Sequence, residues 1–208
     1  MVRLIIAVIV GTGIGYGARP VATDDAGTVA AGGYELETGC DFWSDWAEAD
    51  IGFKHGLSQR MDIGIGFGII ITPEEPERFG LLEIGLKFAL IPDLFAISVA
   101  SEFGTSSYSL NGVITRTFGP LELDLNLGYA ATGMSNEEGT ITYAGALILG
   151  LDRIDIGAES SGDKDGFQTW LSGFRYHLVA GFALDCGISG GFEEDSEFTA
   201  TGGIHYEF

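Results

Sequence analysis

Positive charge is scarce in this chain: 10 Lys and Arg stand against 30 Asp and Glu in 208 residues, a formal net charge of -20. An acidic surface repels phosphate backbones, which excludes nucleic acid as a partner. Proline is also rare, with 5 residues against 33 glycines, a balance that fits many short strands and turns. Only 2 cysteines are present, and no paired CxxC, HxxxH or nucleophile-elbow motif appears, so the sequence offers neither a metal site nor a catalytic residue. We therefore expect no enzyme and no cofactor. No apolar run approaches the roughly 20 residues of a spanning helix. Yet 46% of the residues are hydrophobic, which excludes an acidic disordered chain.

That hydrophobicity is spent in alternation. Met61, Ile63, Ile65, Phe67 and Ile69 share a face against Asp62, Gly64, Gly66 and Gly68, and Leu121, Leu123, Leu125, Leu127 and Tyr129 oppose Glu122, Asp124, Asn126 and Gly128. Period two predicts strands near 33–43, 46–55, 61–71, 79–91, 94–104, 108–118, 121–131, 140–151, 153–160, 167–178, 181–190 and 197–208. A soluble sandwich would alternate as well, so the two ends of the chain decide. At the start, Arg3 and an apolar run over 4–14 lead into small residues, the pattern of a secretory signal cleaved after Gly17 or Ala18. Gly15 fits the minus-three place better than Tyr16, which favours a 1–17 signal peptide. At the end, Phe198, Ala200, Gly202, Ile204, Tyr206 and Phe208 fall on one face, and the chain finishes on an aromatic. A transmembrane barrel needs such a last strand to close against the first. This ending resembles the C-terminal signal of bacterial outer-membrane barrels, which assigns Tyr206 and Phe208 to recognition by the barrel-assembly machinery.

The expected fold is all-β: a closed antiparallel transmembrane barrel of about 12 strands over 33–208, monomeric, set in outer-membrane lipid and lipopolysaccharide of a Gram-negative cell. Short connections alternate with mostly longer acidic ones, such as Glu74, Glu75 and Glu77 or Glu193, Glu194 and Asp195. Short turns are periplasmic in such barrels and long loops face outward. Apolar-face aromatics gather towards strand ends as two girdles: Phe42, Tyr108, Tyr129, Tyr143, Trp170 and Phe198 outside; Tyr34, Phe88, Phe95, Phe118, Tyr176, Phe182, Tyr206 and Phe208 inside. Arg116 falls on the lipid parity. Cys40 and Cys186 do too, two strands apart and beyond disulfide reach.

A barrel of this size has a backbone diameter of roughly 24 Å, which suits a narrow channel or a filled core. Its many inward glycines suit either. By parity the lumen carries Asp41, Glu48, Asp50, Glu83, Glu102 and Glu159 in its outer half, without a basic wall residue beside them. Such a mouth concentrates cations and repels anions. Acidic loops serve equally to bind divalent ions or keep the surface soluble. In the periplasmic half, Lys54 facing Asp62 and Arg175 facing Asp185 across tight turns read as braces.

The segment Ala18-Arg19-Pro20-Val21-Ala22-Thr23-Asp24-Asp25-Ala26-Gly27-Thr28-Val29, followed by Gly33-Tyr34-Glu35-Leu36-Glu37, resembles the start of a family of outer-membrane transporters linked to the meta-pathway of phenol degradation. Gly56-Leu57-Ser58-Gln59-Arg60-Met61-Asp62-Ile63-Gly64 is similar to that family's recurring turn and third strand. The resemblance covers about the first 70 residues and departs at Val21-Ala22, where a Leu-containing pair is usual. It implies a channel, a porin-like transport protein, for passive uptake of small organic solutes, aromatic ones among them. The alternative is a non-conducting structural or divalent-ion-binding barrel. Residues 18–32, with Thr23, Asp24 and Asp25, form a periplasmic leader that serves as a plug or gate at the mouth or as a plain connector.

Overall fold

The computed structural model describes residues 20–73, 78–134 and 137–208. The expected signal over 1–17 and the acidic residues Glu74, Glu75 and Glu77 lie outside them. Twelve strands follow in order: β1 (Tyr34–Trp43), β2 (Trp46–Ser58), β3 (Met61–Thr72), β4 (Glu83–Ile91), β5 (Phe95–Glu102), β6 (Tyr108–Phe118), β7 (Leu121–Ala131), β8 (Thr140–Leu151), β9 (Ile154–Asp163), β10 (Gly166–Val179), β11 (Phe182–Gly191) and β12 (Thr199–Glu207). Each pairs antiparallel with its sequence neighbour, and β1 pairs with β12 to close the barrel.

The seam runs from Glu35 opposite Glu207 to Phe42 opposite Ala200. Beyond the ladder, the Phe208 N–H donates to the Tyr34 carbonyl at 2.9 Å and the Tyr34 N–H returns a bond to Phe208 at 2.8 Å. Tyr34 stacks on Phe208 at 5.5 Å and Phe208 on Tyr206 at 5.0 Å. The last residue thus locks first and last strands by backbone and ring together.

The distribution of side chains is inside out relative to a water-soluble fold. Leu127 is 65% exposed and Ile141 58%, while the largest fully buried side chains include Glu37, Asn111, Asp124 and Asp185. Among the described residues the buried apolar cluster is small: Ala26, Ala96 and Val113. Large apolar surface that faces outward all round a closed sheet is stable only in a hydrocarbon solvent. The two aromatic groupings stand at opposite rims: Tyr108 with Tyr129 and Trp170 with Phe198 at one, Tyr34, Phe53, Phe182, Tyr206 and Phe208 at the other. Arg116 points outward and is exposed, two residues from the end of β6, where its stem reaches the interface. Cys40 and Cys186 both stand opposite Gly202, one strand to either side, and both thiols are free.

Connections at the rim shared by Tyr34 and Phe208 (the terminal rim) are short, at 59–60, 92–94, 119–120, 152–153 and 180–181. Gly181 has φ +75, and a Cβ there would lie 2.5 Å from the Glu207 carbonyl oxygen, so the turn beneath the seam requires glycine. The opposite, far rim is less uniform than the sequence suggests. Residues 44–45 and 164–165 are tight turns, because β9 runs on to Asp163, three residues past its expected end. Conversely β4 begins at Glu83 rather than 79; Phe79 keeps only an isolated bridge to Ile69.

Replacing Phe208 with Ala removes both ring stacks while leaving the seam's backbone bonds available. The expected cost is about 1 kcal/mol per aromatic pair, measured as a lower urea midpoint of the barrel in detergent micelles; an unchanged midpoint rejects the ring lock.

Candidate functional site

Residues 20–33 do not hang below the barrel. They enter at the terminal rim and climb inside it, with Val21 1% exposed and Ala26 0%. A chain drawn into a lumen carries backbone N–H groups that need partners, and side chains of the wall supply them in sequence. The Gly32 N–H bonds the Gly56 carbonyl at 2.8 Å. The Val29 N–H donates to Asp62 Oδ2 at 3.0 Å, and that of Ala26 to Thr115 Oγ1 at 2.8 Å. At Asp24 the pairing is reciprocal: its N–H donates to Asn126 Oδ1 at 3.2 Å, and Asn126 Nδ2 donates to its carbonyl at 2.7 Å. Highest up, Glu159 Oε2 accepts the N–H groups of Ala22 (2.7 Å) and Thr23 (2.6 Å) and the Thr23 hydroxyl (2.7 Å).

One charge pair joins this ladder. Lys87 donates to Asp24 Oδ1 at 2.8 Å and lies 3.8 Å from Asp25 Oδ1, which itself accepts the Gly27 N–H at 2.6 Å and tightens the bend. Asp24 is buried and Lys87 largely so, and a hydrogen-bonded pair there is little screened by salt.

The inward glycines explain how the leader fits. Gly157, Gly173 and Gly187 are register neighbours on β9, β10 and β11. A Cβ at Gly157 would fall 2.7 Å from Val21 Cγ1 and 3.1 Å from the Pro20 carbonyl oxygen; one at Gly173 would also fall 3.1 Å from that oxygen. Gly56, lower down, would place a Cβ 2.1 Å from the Ala30 carbonyl oxygen. The glycines form a trough, and residues 20–31 lie in it rather than leaving it open.

Below the leader a cavity of about 990 Å³ opens at the terminal rim, lined by Lys54, Asp62, Lys87, Asp124, Asp155, Arg175, His205 and Glu207 among others. Of the two expected braces, Arg175 meets Asp185 as a fork, Nε to Oδ1 at 2.7 Å and a terminal nitrogen to Oδ2 at 2.9 Å. Lys54 is drawn elsewhere, to Glu35 at 2.6 Å and Glu37 at 2.9 Å on β1. Its register partner on β3 is Gly64, while Asp62 stands opposite Gly56 and holds the leader. The 56–58 bulge puts β3 out of step, so β1 presents the nearer carboxylates. His205 bridges Glu37 (3.2 Å) and Glu207 (2.9 Å).

In the far half, Asp41 and Glu48 are register partners, and with Asp50 they bring carboxylate oxygens within 4.8 Å of one another. Glu83 stands opposite Glu102, which accepts the Ser107 hydroxyl at 2.7 Å. Glu159 leaves this set, because its acceptor oxygen is committed to the leader. Among the described residues two groups have the donors to hold a cation: Asp41, Glu48 and Asp50 at the far mouth, and Glu35, His205 and Glu207 at the terminal rim.

Asn126, Thr115 and Asn111, whose amide donates to Asn126 at 2.9 Å, are site residues that neither charge nor motif picks out in the sequence. The available signal was neutral polar residues at inward parity in mid-strand, where a plain lumen has no need of directed acceptors.

No family model and no curated protein matches the chain. Solved structures do match its fold. The KdgM porin is 13% identical, covering 85% of this chain and 99% of its own, with a TM-score of 0.60. The NanC porin is 9% identical, covering 83% and 98%, at 0.63. The outer-membrane protein Omp33 of Acinetobacter baumannii is 8% identical, covering 87% and 100%, at 0.56. The chain has the fold of the outer-membrane β-barrels.

Replacing Arg175 with Met leaves Asp185 buried without its fork and should cost about 3–5 kcal/mol, whereas adding Asp185→Leu recovers part of that loss. Midpoints of heat-induced gel mobility shift measure both; equal midpoints for the Arg175→Met protein and the unchanged protein reject the brace.

Proposed function

We propose that this chain is a monomeric channel of a Gram-negative outer membrane that passes small solutes, with a preference for neutral or cationic ones. A single observation carries the reading: a closed barrel, apolar outside, whose far mouth gathers carboxylates on neighbouring strands, Asp41 with Glu48 and Asp50, and Glu83 with Glu102. Such a mouth raises the local concentration of cations and depletes anions, by an effect that weakens as salt rises. The KdgM porin has been solved in complex with oligogalacturonate; a polyanion of that kind suits this acidic mouth poorly. The early motif from Ala18 to Val29, with its resemblance to transporters linked to phenol degradation, supports small organic solutes, aromatic ones included. Tyr206 and Phe208 serve as the address read during barrel assembly, and lipopolysaccharide meets the acidic loops through divalent ions.

A second reading has its own support. Glu37, Asn111, Asp124, Thr142 and Asp185 are polar lumen residues no more than 2% exposed, as in a filled barrel that stiffens the envelope and does not conduct.

Planar-bilayer recording separates the two. The channel reading expects conductance with cations favoured over anions, and a triple change of Asp50→Asn, Glu83→Gln and Glu102→Gln should lower that preference severalfold while conductance persists. Preference for anions in the unchanged protein would overturn the acidic-mouth argument. Complete silence from a folded, heat-modifiable barrel, with or without residues 20–31, favours the filled barrel.

A further inference from the structure

We infer that the polar track on the lumen wall is a solute-binding groove, and that residues 20–31 are its resident occupant, a displaceable plug that must leave for the channel to conduct. The inference rests on the channel reading and deepens it by naming the device that closes the pore and the chemistry the pore recognises.

The track is built for an extended chain. Going up the wall it offers Asp62, Thr115, Asn126 and Glu159 as acceptors, with Lys87 as a single cation between them. Each acceptor takes a backbone N–H of the leader, and Glu159 takes three donors on one oxygen. These are hydrogen bonds to groups any donor-rich chain possesses. The Asp24 and Asp25 carboxylates beside Lys87, the Thr23 hydroxyl on Glu159 and the Pro20 and Val21 side chains over Gly157 are particular to the leader's side chains. Most of the contact is polar and little is apolar, which is the balance of a reversible ligand rather than a core element. A fixed filler would bury large side chains; the leader buries Val21, Thr23, Asp24 and Ala26.

Seated, the leader closes the pore. Thr23 and Asp24 are buried at mid-barrel against Asn126 and Glu159, and the open volume of about 990 Å³ lies along its terminal side. Withdrawal towards the terminal rim, through that volume, exposes the acceptors and the glycine trough together. The solute class that then fits is a slender molecule with several N–H or O–H donors along its length and at most one carboxylate, to meet Lys87. A short peptide is the simplest member. A polyanion would bring further carboxylates against Asp62 and Glu159 and be repelled.

A cross-link tests the plug in the full chain. On a Cys40→Ala, Cys186→Ala background, Val21→Cys and Gly157→Cys place a sulfur where Val21 Cγ1 now lies, 2.7 Å from the position of the new Cβ, close to the spacing within a disulfide. We expect the oxidised barrel to carry less than a tenth of the conductance of the same protein after reduction. A second variant lacking residues 20–31 should conduct without gating, and a synthetic peptide of those residues should block it, with the Asp24→Asn peptide at least tenfold weaker. Failure of the cross-link to form, or equal conductance of oxidised and reduced protein, overturns the plug and leaves the channel reading standing. A leader-less barrel that conducts but ignores the peptide overturns the groove. No conductance from any form overturns the channel reading, and the plug with it.

Discussion

Everything in this molecule depends on the fate of the backbone N–H and C=O groups. In hydrocarbon each unpaired one costs several kcal/mol, so a sheet there must have no edge. Pairing β1 with β12 removes the edge, and the bonds between Tyr34 and Phe208 carry that closure to the last residue. Closure then dictates the alternation. With one face committed to lipid, every second residue must be apolar and its neighbours must share a confined interior. The acidic composition is therefore gathered inside and at the rims.

The same requirement operates a second time in the lumen. Residues 20–31 bring peptide groups into a space without a strand to pair with, and the wall answers with side chains: Asp62, Thr115, Asn126 and Glu159 do for the leader what a neighbouring strand does for β1. The interior is thus held by hydrogen bonds and by ion pairs such as Arg175–Asp185 and Lys87–Asp24, and its buried apolar residues among those described are small, alanine and valine. Net gains from such bonds are near 1 kcal/mol each and depend on every partner being present. An interior of this kind is ordered without being cohesive, as the proposed release of residues 20–31 requires.

How much of this was legible in the sequence follows from range. Alternation is local, so the twelve strands, the lipid parity of Cys40, Cys186 and Arg116, and the Arg175–Asp185 fork across a tight turn can all be read from residues a few places apart. Lys54 shows the limit. Each neighbouring strand carries a carboxylate, but the register sets Glu35 directly opposite it on β1 and Gly64 on β3, which gives it to Glu35 and Glu37. Glu159 shows it more sharply. Parity places it correctly in the lumen, yet its partners are Ala22 and Thr23, 137 and 136 residues away along the chain. No period connects them. The row Gly157, Gly173, Gly187 was visible as separate glycines, but only the strand register makes it a trough.

Charge and hydrogen bonding divide the lumen between them along its axis. The wall cations Lys54, Lys87 and Arg175 all sit in the terminal half, each on a carboxylate within 3 Å. There each cation is held on a carboxylate by a directed contact that salt hardly weakens. At the far mouth Asp41, Glu48 and Asp50 crowd together, and Glu83 faces Glu102. Carboxylates so placed act through their summed field, at a distance, without regard to the shape of what approaches. A field sorts solutes by the sign of their charge, and a hydrogen-bond track sorts them by the pattern of their donors. In the proposed channel the two stand in series and demand different properties of one molecule, so a solute that satisfies only one of them would be held up at the other.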